Sequence, residues 1–137
     1  MGLLISFEGI DGCGKSTQIK LLHEKLNNNN IKTLIFREPG DTIFSNKIRD
    51  ILLDNNNEIC SASEMLLFLS ARAQLVKEKI IPSFKDHGVV LLDRYIDSTV
   101  AYQGYGRELD MKLIMDLEKI ATNGLLPDIT FLLDVPV

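Results

Sequence analysis

Long apolar runs, cysteine, histidine and an excess of basic residues are all scarce in this chain. No apolar stretch approaches the roughly 20 residues needed to span a bilayer. The start MGLLISFEGIDG has no cationic region ahead of its apolar stretch, unlike a secretory leader. The chain is therefore expected to stay in the cytoplasm, away from membranes. Its two cysteines, Cys13 and Cys60, have no CxxC partner and no His-rich neighbours, which argues against a disulfide framework or a zinc site. Lys and Arg number 15 against 19 Asp and Glu, a formal net charge of −4, so the basic stripe that gives nucleic-acid-binding modules their affinity is missing. The two histidines, His23 within a helical segment and His87 at a helix end, lie apart from every motif below and are read as structural or solvent-exposed.

What is present is an ordinary globular composition. The 137 residues are 45% hydrophobic and 25% charged, which fits one domain and excludes disorder. There are no internal repeats and no domain boundary. Short apolar runs alternate with longer segments of helical period. The strand candidates are Leu3–Glu8, Lys32–Arg37, Val89–Asp93 and Ile129–Val135, nearly continuous in apolar character as in parallel strands covered on both faces. Helices are expected at Lys15–Asn27, Thr42–Leu53, Ser61–Lys85 and Met111–Thr122. Ser61 followed by Glu64 reads as a capping box, and His87-Gly88 as a glycine closure. The alternation predicts an α/β fold with right-handed crossovers.

One motif carries chemistry. Gly9-Ile10-Asp11-Gly12-Cys13-Gly14-Lys15-Ser16 fits GxxxxGK[ST], which chance would supply in about 1 chain of this size in 200. A strand precedes it and an amphipathic helix follows, the context that supports the match. Glycines let the backbone wrap a polyphosphate with its N–H groups inward, and the helix starting at Lys15 adds the positive end of its dipole. Lys15 reaches the outer phosphates and the Ser16 hydroxyl can ligate Mg²⁺, so a nucleoside triphosphate site is expected over Gly9–Thr17. A carboxylate ending a neighbouring apolar strand should help hold the metal. Asp93 and Asp134 both end such runs; the adjacent Arg94 favours Asp93.

Polar clusters identify the other substrate. Phe36-Arg37-Glu38-Pro39-Gly40 and the run Asp93–Gly104 fall at carboxyl ends of strands, where ligands of open α/β sheets bind. Phe68 and Arg72 share a helix face, so an aromatic plane and a guanidinium fork could address one flat ligand.

FEGIDGCGKST, FREPG, LLFLSARAQL and LLDRYIDSTVAYQGYGR resemble, in order, the motifs of the thymidylate kinase (dTMP kinase) family, and PDITFLLDVPV is similar to its next strand. The resemblance implies a three-layer P-loop kinase with four of five expected strands in residues 1–137, a homodimer, ATP and Mg²⁺ as cofactors, and dTMP as acceptor. It implies that Asp11 accepts from the sugar 3′-hydroxyl and that Arg37, Arg49 and Arg94 surround the acceptor phosphate, with Glu38 close by. Phe68 would stack on thymine, Arg72, Ser98 or Thr99, and Gln103 would read its polar edge, and Tyr102 would lie beneath the sugar. A monophosphate is largely a dianion at pH 7 and needs no general base, so Lys15, Arg94 and Mg²⁺ would carry catalysis by alignment and charge neutralisation.

Two departures accompany the resemblance. Gly12 stands where some members carry an arginine, whose charge others draw from a lid over ATP. Members also continue beyond the fourth strand with a helix, the lid, a fifth strand and a closing helix. The 137 residues are thus expected to be an incomplete kinase of uncertain activity. The alternatives are another nucleoside or nucleoside monophosphate kinase, or a non-catalytic ATP-binding module.

Overall fold

The computed structural model describes residues 2–136 apart from His87, so the closure expected at that histidine lies outside the described residues. Four strands, β1 (Leu3–Glu8), β2 (Thr33–Arg37), β3 (Val89–Asp93) and β4 (Ile129–Leu132), form one sheet in the order β2-β3-β1-β4. All pairings are parallel, with Leu3 opposite Val89, Thr33 opposite Val89 and Ile5 opposite Ile129. The α/β expectation holds.

Side chains alternate across the pleat and divide the core between the two faces. On one face Ile5, Phe7, Val89 and Leu91 pack with Ile19 of α1 (Lys15–Asn28). On the other, Leu4, Val90 and Leu92 pack with Leu75, Val76, Ile80 and Tyr95. Burying each such side chain contributes about 1.5–3 kcal/mol, so both layers are stabilised by the same short apolar runs. A third cluster, Met65, Leu69, Ile114 and Ala121, joins α3 (Ser61–Leu75) to α6 (Met111–Ala121). No helix among the described residues is long and apolar enough to cross a membrane.

Several local expectations shift. The first helix runs to Asn28, and α2 occupies Ile43–Leu53 with Thr42 outside as its cap, its hydroxyl accepting from Ser45 N. β2 starts at Thr33 because the Lys32 carbonyl is taken by the N–H groups of Gly88 and Val89. The single helix expected at Ser61–Lys85 is α3, then a π-helical turn at Val76–Ile80, then α4 (Ile81–Ser83). Pro82 has no N–H to give the preceding turn, which accounts for a regular helix not continuing there. Ser61 makes no capping box: Cys60 is the cap residue, and its side chain makes no capping bond to the helix backbone. The last helix ends at Ala121, capped at its start by the Asp110 carboxylate accepting from Lys112 N.

A helix unforeseen in the sequence, α5 (Ile96–Thr99) continuing as a π-helix over Val100–Tyr105, carries the most specific motif. Its β-branched residues and Gly104 are poor helix formers, so packing decides it. A Cβ on Gly104 would lie 2.3 Å from the Met111 sulfur, so α6 seats closely against this glycine and a larger residue there would force the Met111 side chain to move. β4 is shorter than expected and its side chains are exposed, contrary to a strand covered on both faces.

Candidate functional site

The connections after β1, β2 and β3 meet at one end of the sheet around a cleft of about 970 Å³. Its wall includes Asp11, Gly12, Gly14, Lys15, Ser16 and Thr17 from the first connection, and Arg37 and Glu38 from the second. Arg49, Glu64, Phe68, Asp93, Arg94, Thr99, Tyr102, Gln103 and Arg107 complete it.

Gly14 holds φ at 94° as the residue before α1, a left-handed conformation that suits glycine and turns the chain into the helix. Lys15 is buried, and its Nζ donates to the carbonyls of Gly9 and Ile10 at 2.9 and 3.0 Å, so the loop folds around its own cation. Gly9 and Cys13 do not line the cleft. A Cβ on Gly9 would come within 2.7 Å of the Cys13 sulfur, which makes the two residues the packed underside of the loop.

Ser16 Oγ donates to Asp93 Oδ2 at 3.1 Å across the gap between α1 and the end of β3. A hydroxyl and a carboxylate side by side are hard oxygen donors of the kind Mg²⁺ takes, with phosphates and waters completing its shell. No cluster of three or more His, Cys, Asp or Glu suited to a metal occurs among the described residues. The alternative carboxylate, Asp134, is exposed beyond β4, so the geometry favours Asp93.

Arg94 stands directly after β3 with φ at 72°, a conformation that costs a non-glycine residue on the order of 1–3 kcal/mol. Its backbone N–H is fixed by the Phe7 carbonyl at 3.0 Å. The side chain reaches Asp11 at 2.6 Å and lies over the Tyr102 ring, 5.5 Å from its centroid. Burial opposes the Arg94 charge, but Tyr102 and Asp11 outweigh it and raise the pKa above the ordinary arginine value. Arg49 donates to the Pro39 carbonyl at 2.9 Å and, with exposed Arg37, concentrates positive charge on this wall. Burial and the neighbouring Arg37 lower the Arg49 pKa, against the opposing pull of Asp41, Asp93 and Asp50.

Arg72 and Ser98 depart from their expected places. Neither lines the cleft. Ser98 gives its hydroxyl to Glu8 at 2.6 Å, and Glu8 also accepts from Tyr95 N. Burial raises the Glu8 carboxyl above its usual range, so these two donors compensate a buried acid. Arg72, only 2% exposed, lies in a buried network. Its Nε donates to Glu38 at 2.6 Å, Nη1 to Thr99 at 2.9 Å and to Glu118, and Nη2 to the Tyr95 carbonyl at 2.9 Å. Guanidinium carries five N–H donors, and most of them are used here inside the protein.

Glu38 is buried, and burial pushes its pKa up from 4.5 to about 7, against the pull of Arg72, whose single charge is divided between two carboxylates. The folded chain holds this proton more tightly than the unfolded chain. The stability it contributes is therefore complete below about pH 4.5 and is lost as pH rises through about 7. Unfolding in urea is expected to become easier from pH 5 to pH 8, and Glu38→Gln should remove on the order of 1–3 kcal/mol of that decline. Equal declines in both proteins would count against the proton at Glu38.

Glu64, Glu8, Tyr95 and Glu118 were not legible as site residues. Only Glu64 left a usable signal, since Glu64, Phe68 and Arg72 recur every four residues along α3 and so share one face.

Comparison with known proteins identifies the family and the fold. The thymidylate kinase family model matches residues 7–137. The thymidylate kinase of Thermoanaerobacter sp. (strain X514) is 53% identical over 134 residues, covering 98% of this chain and 66% of the relative. That of Prosthecochloris aestuarii is 53% identical over 133 residues, covering 97% of this chain and 60% of the relative. The crystal structure of thymidylate kinase from Ehrlichia chaffeensis superposes with a TM-score of 0.91 at 40% identity, covering 98% of this chain and 77% of that one. The chain thus spans less than two thirds of the length of the two curated relatives.

Proposed function

The chain belongs to the thymidylate kinase family, and from that premise we propose that the cleft serves phosphoryl transfer from ATP to dTMP. The observation that carries the reading is that one cleft joins a phosphate loop to an arginine-rich wall and to an aromatic side chain. These are the three things that two phosphorylated substrates, one bearing a flat base, require.

Lys15 and the N-terminus of α1 would hold the outer phosphates of the donor, and Arg94 would stand between donor and acceptor. Arg37 and Arg49 would bind the acceptor phosphate, with Glu38 behind them. Phe68 would stack on the base, Thr99 and Gln103 would meet its edge, and Tyr102 would lie under the sugar. Asp11, whose side chain is 98% exposed and held by Arg94, is free on its other faces to accept from a sugar hydroxyl. Arg72 would act on the base through the one N–H left over from its buried network. Ser16 and Asp93 would hold Mg²⁺, which would neutralise phosphate charge in transfer. The acceptor dianion attacks without a general base, so positioning and electrostatics carry the rate.

Residues 1–137 are proposed as phosphate-loop and acceptor parts of the kinase core, and the lid implied by the family is assigned to none of them. Two-fold assembly belongs to the same proposal. It is supported by exposed Ile43 and Phe44 on α2, Leu66 on α3 and Met115 on α6, helices that pack in series.

The test offers dTMP, dUMP, dGMP and thymidine to the chain with Mg-ATP, following binding by calorimetry and transfer by a coupled assay. Saturable binding of dTMP in preference to dGMP and thymidine is expected. Preference for thymidine, which lacks the phosphate, would sink the roles given to Arg37, Arg49 and Arg94. Binding of ATP with no acceptor bound would point to a non-catalytic module.

A further inference from the structure

Glu64 sits in the first turn of α3, where a carboxylate ordinarily serves the helix end, yet its oxygens are turned outward to two other side chains. Oε1 accepts from Gln103 Nε2 at 3.0 Å, and Arg107 Nη2 donates to Oε2 at 3.2 Å. All three line the cleft, on the stretch that also carries Phe68. Gln103 is only 3% exposed, so its side chain has little room to swing.

A carboxamide has one face that donates and one that accepts, and a carboxylate can only accept. While Glu64 faces it, Gln103 has to present its NH₂, which leaves Oε1 as the group turned elsewhere. None of the described residues donates a hydrogen bond to that oxygen. Arg107 braces Glu64 from its other side, but the acceptor that meets Gln103 is Glu64 itself, so the polarity of this spot is decided one side chain away.

We infer that Glu64 is a positioning residue: it fixes the Gln103 carboxamide with its oxygen toward the base, so that the cleft selects a pyrimidine ring bearing N3–H. Thymine and uracil carry that N–H, whereas cytosine has a bare ring nitrogen in its place. Against a fixed acceptor the first kind of ring makes a hydrogen bond and the second leaves two acceptors opposed, a mismatch that specificity pockets use effectively. The inference rests on the dTMP-acceptor reading and adds to it the origin of base choice.

The experiment compares dTMP, dUMP and dCMP binding to the full chain by calorimetry, in wild type, Glu64→Gln and Arg107→Ala. Wild type is expected to hold dUMP about tenfold more tightly than dCMP or better. The carboxamide introduced by Glu64→Gln can accept or donate, so Gln103 is free to turn over and the dUMP/dCMP ratio should contract about three- to tenfold. Arg107→Ala leaves an acceptor-only group in place and should preserve the ratio. If Glu64→Gln weakens both nucleotides equally, its role is structural and the inference fails. A second measurement needs no variant: N3-methyl-dUMP should bind wild type at least about tenfold more weakly than dUMP, and equal affinity would overturn the inference. If dTMP itself does not bind wild type, the acceptor reading falls and this inference falls with it. Binding of dTMP with a ratio insensitive to Glu64 removes only the Glu64 assignment.

Discussion

Lys15→Met is expected to weaken Mg-ATP binding about 10- to 150-fold while leaving the fold intact. The size follows from what the ammonium does. A hydrogen bond to a charged group contributes about 1.5–3 kcal/mol, and each 1.4 kcal/mol is tenfold in affinity. Lys15 already lies at the centre of the loop, donating to the carbonyls of Gly9 and Ile10. An arriving polyphosphate meets a cation held in place, so little ordering is needed to engage it. Methionine keeps the length and apolar stem, removes the charge, and leaves those two carbonyls to water at the loop mouth. Transfer should fall further than binding, by a factor on the order of 10²–10³ for the loss of one preorganised charge contact in the transition state. Calorimetry with Mg-ATP checks the first figure and a dTMP-dependent transfer assay the second. Unchanged affinity in a variant with wild-type circular dichroism would mean the loop does not hold the donor.

Arg72→Met should be the most destabilising exchange in the site, by about 3–5 kcal/mol. That is a large part of the roughly 5–15 kcal/mol by which domains are usually stable. The guanidinium ties together four segments, the connection after β2 through Glu38, α3 itself, the start of α5 through Tyr95 and Thr99, and α6 through Glu118. One oxygen of each carboxylate, Glu38 Oε1 and Glu118 Oε2, is buried without a hydrogen-bond partner even with Arg72 present. Methionine fills similar volume and strands both acids, and an uncompensated buried charge is what makes breaking such a network costly. The loss should be larger at pH 8 than at pH 5, because acid neutralises the stranded carboxyls. Adding Glu38→Gln and Glu118→Gln should recover much of it, since a polar network with no net charge needs no cation. Urea unfolding of wild type, single and triple variants measures this. A single variant within 1 kcal/mol of wild type would show that water reaches the site and screens the acids.

Motif-bearing segments were legible because their chemistry is local. The order Gly9–Ser16, the apolar run into Asp93 and the Arg37-Glu38-Pro39-Gly40 turn each state their own backbone requirement, and the structure places all three at one end of the sheet. Spacing alone left Asp93 and Asp134 open because both end similar apolar strands, and only the adjacent Arg94 favoured Asp93. Both strands flank β1, so where each carboxylate falls along its strand separates them: Asp93 ends β3 opposite Phe7 and lies 3.1 Å from Ser16, whereas Asp134 is exposed beyond the end of β4. The helix over Ile96–Tyr105 was hidden by β-branched residues and glycine, whose propensities oppose the conformation that packing against Met111 imposes.

Arg72 and Glu64 fail in the sequence for a related reason. A periodic pattern gives the face a residue occupies but not the partner it meets. Arg72 shares the face of Phe68 as expected, yet four acceptors from outside α3 hold it in a buried network away from the cleft wall. Glu64 sits three residues after Ser61, the spacing of a capping box, but Gln103 and Arg107 arrive from a helix and the turn after it, whose position no local signal encodes.

By itself, the sequence determined the alternating α/β order, the family, the phosphate loop and the kind of residues the acceptor side would use. These follow from periodicity, from glycine's conformational freedom and from charge, which act over a few neighbouring residues. Only the tertiary structure decided which carboxylate faces Ser16, that Arg72 is shared between Glu38 and Glu118, and which way Gln103 is turned. Those outcomes depend on pairs between 34 and 77 residues apart in the chain. A buried charge or carboxamide takes its orientation from whatever donors and acceptors packing delivers to it, and that is a property of the whole sheet and its helices.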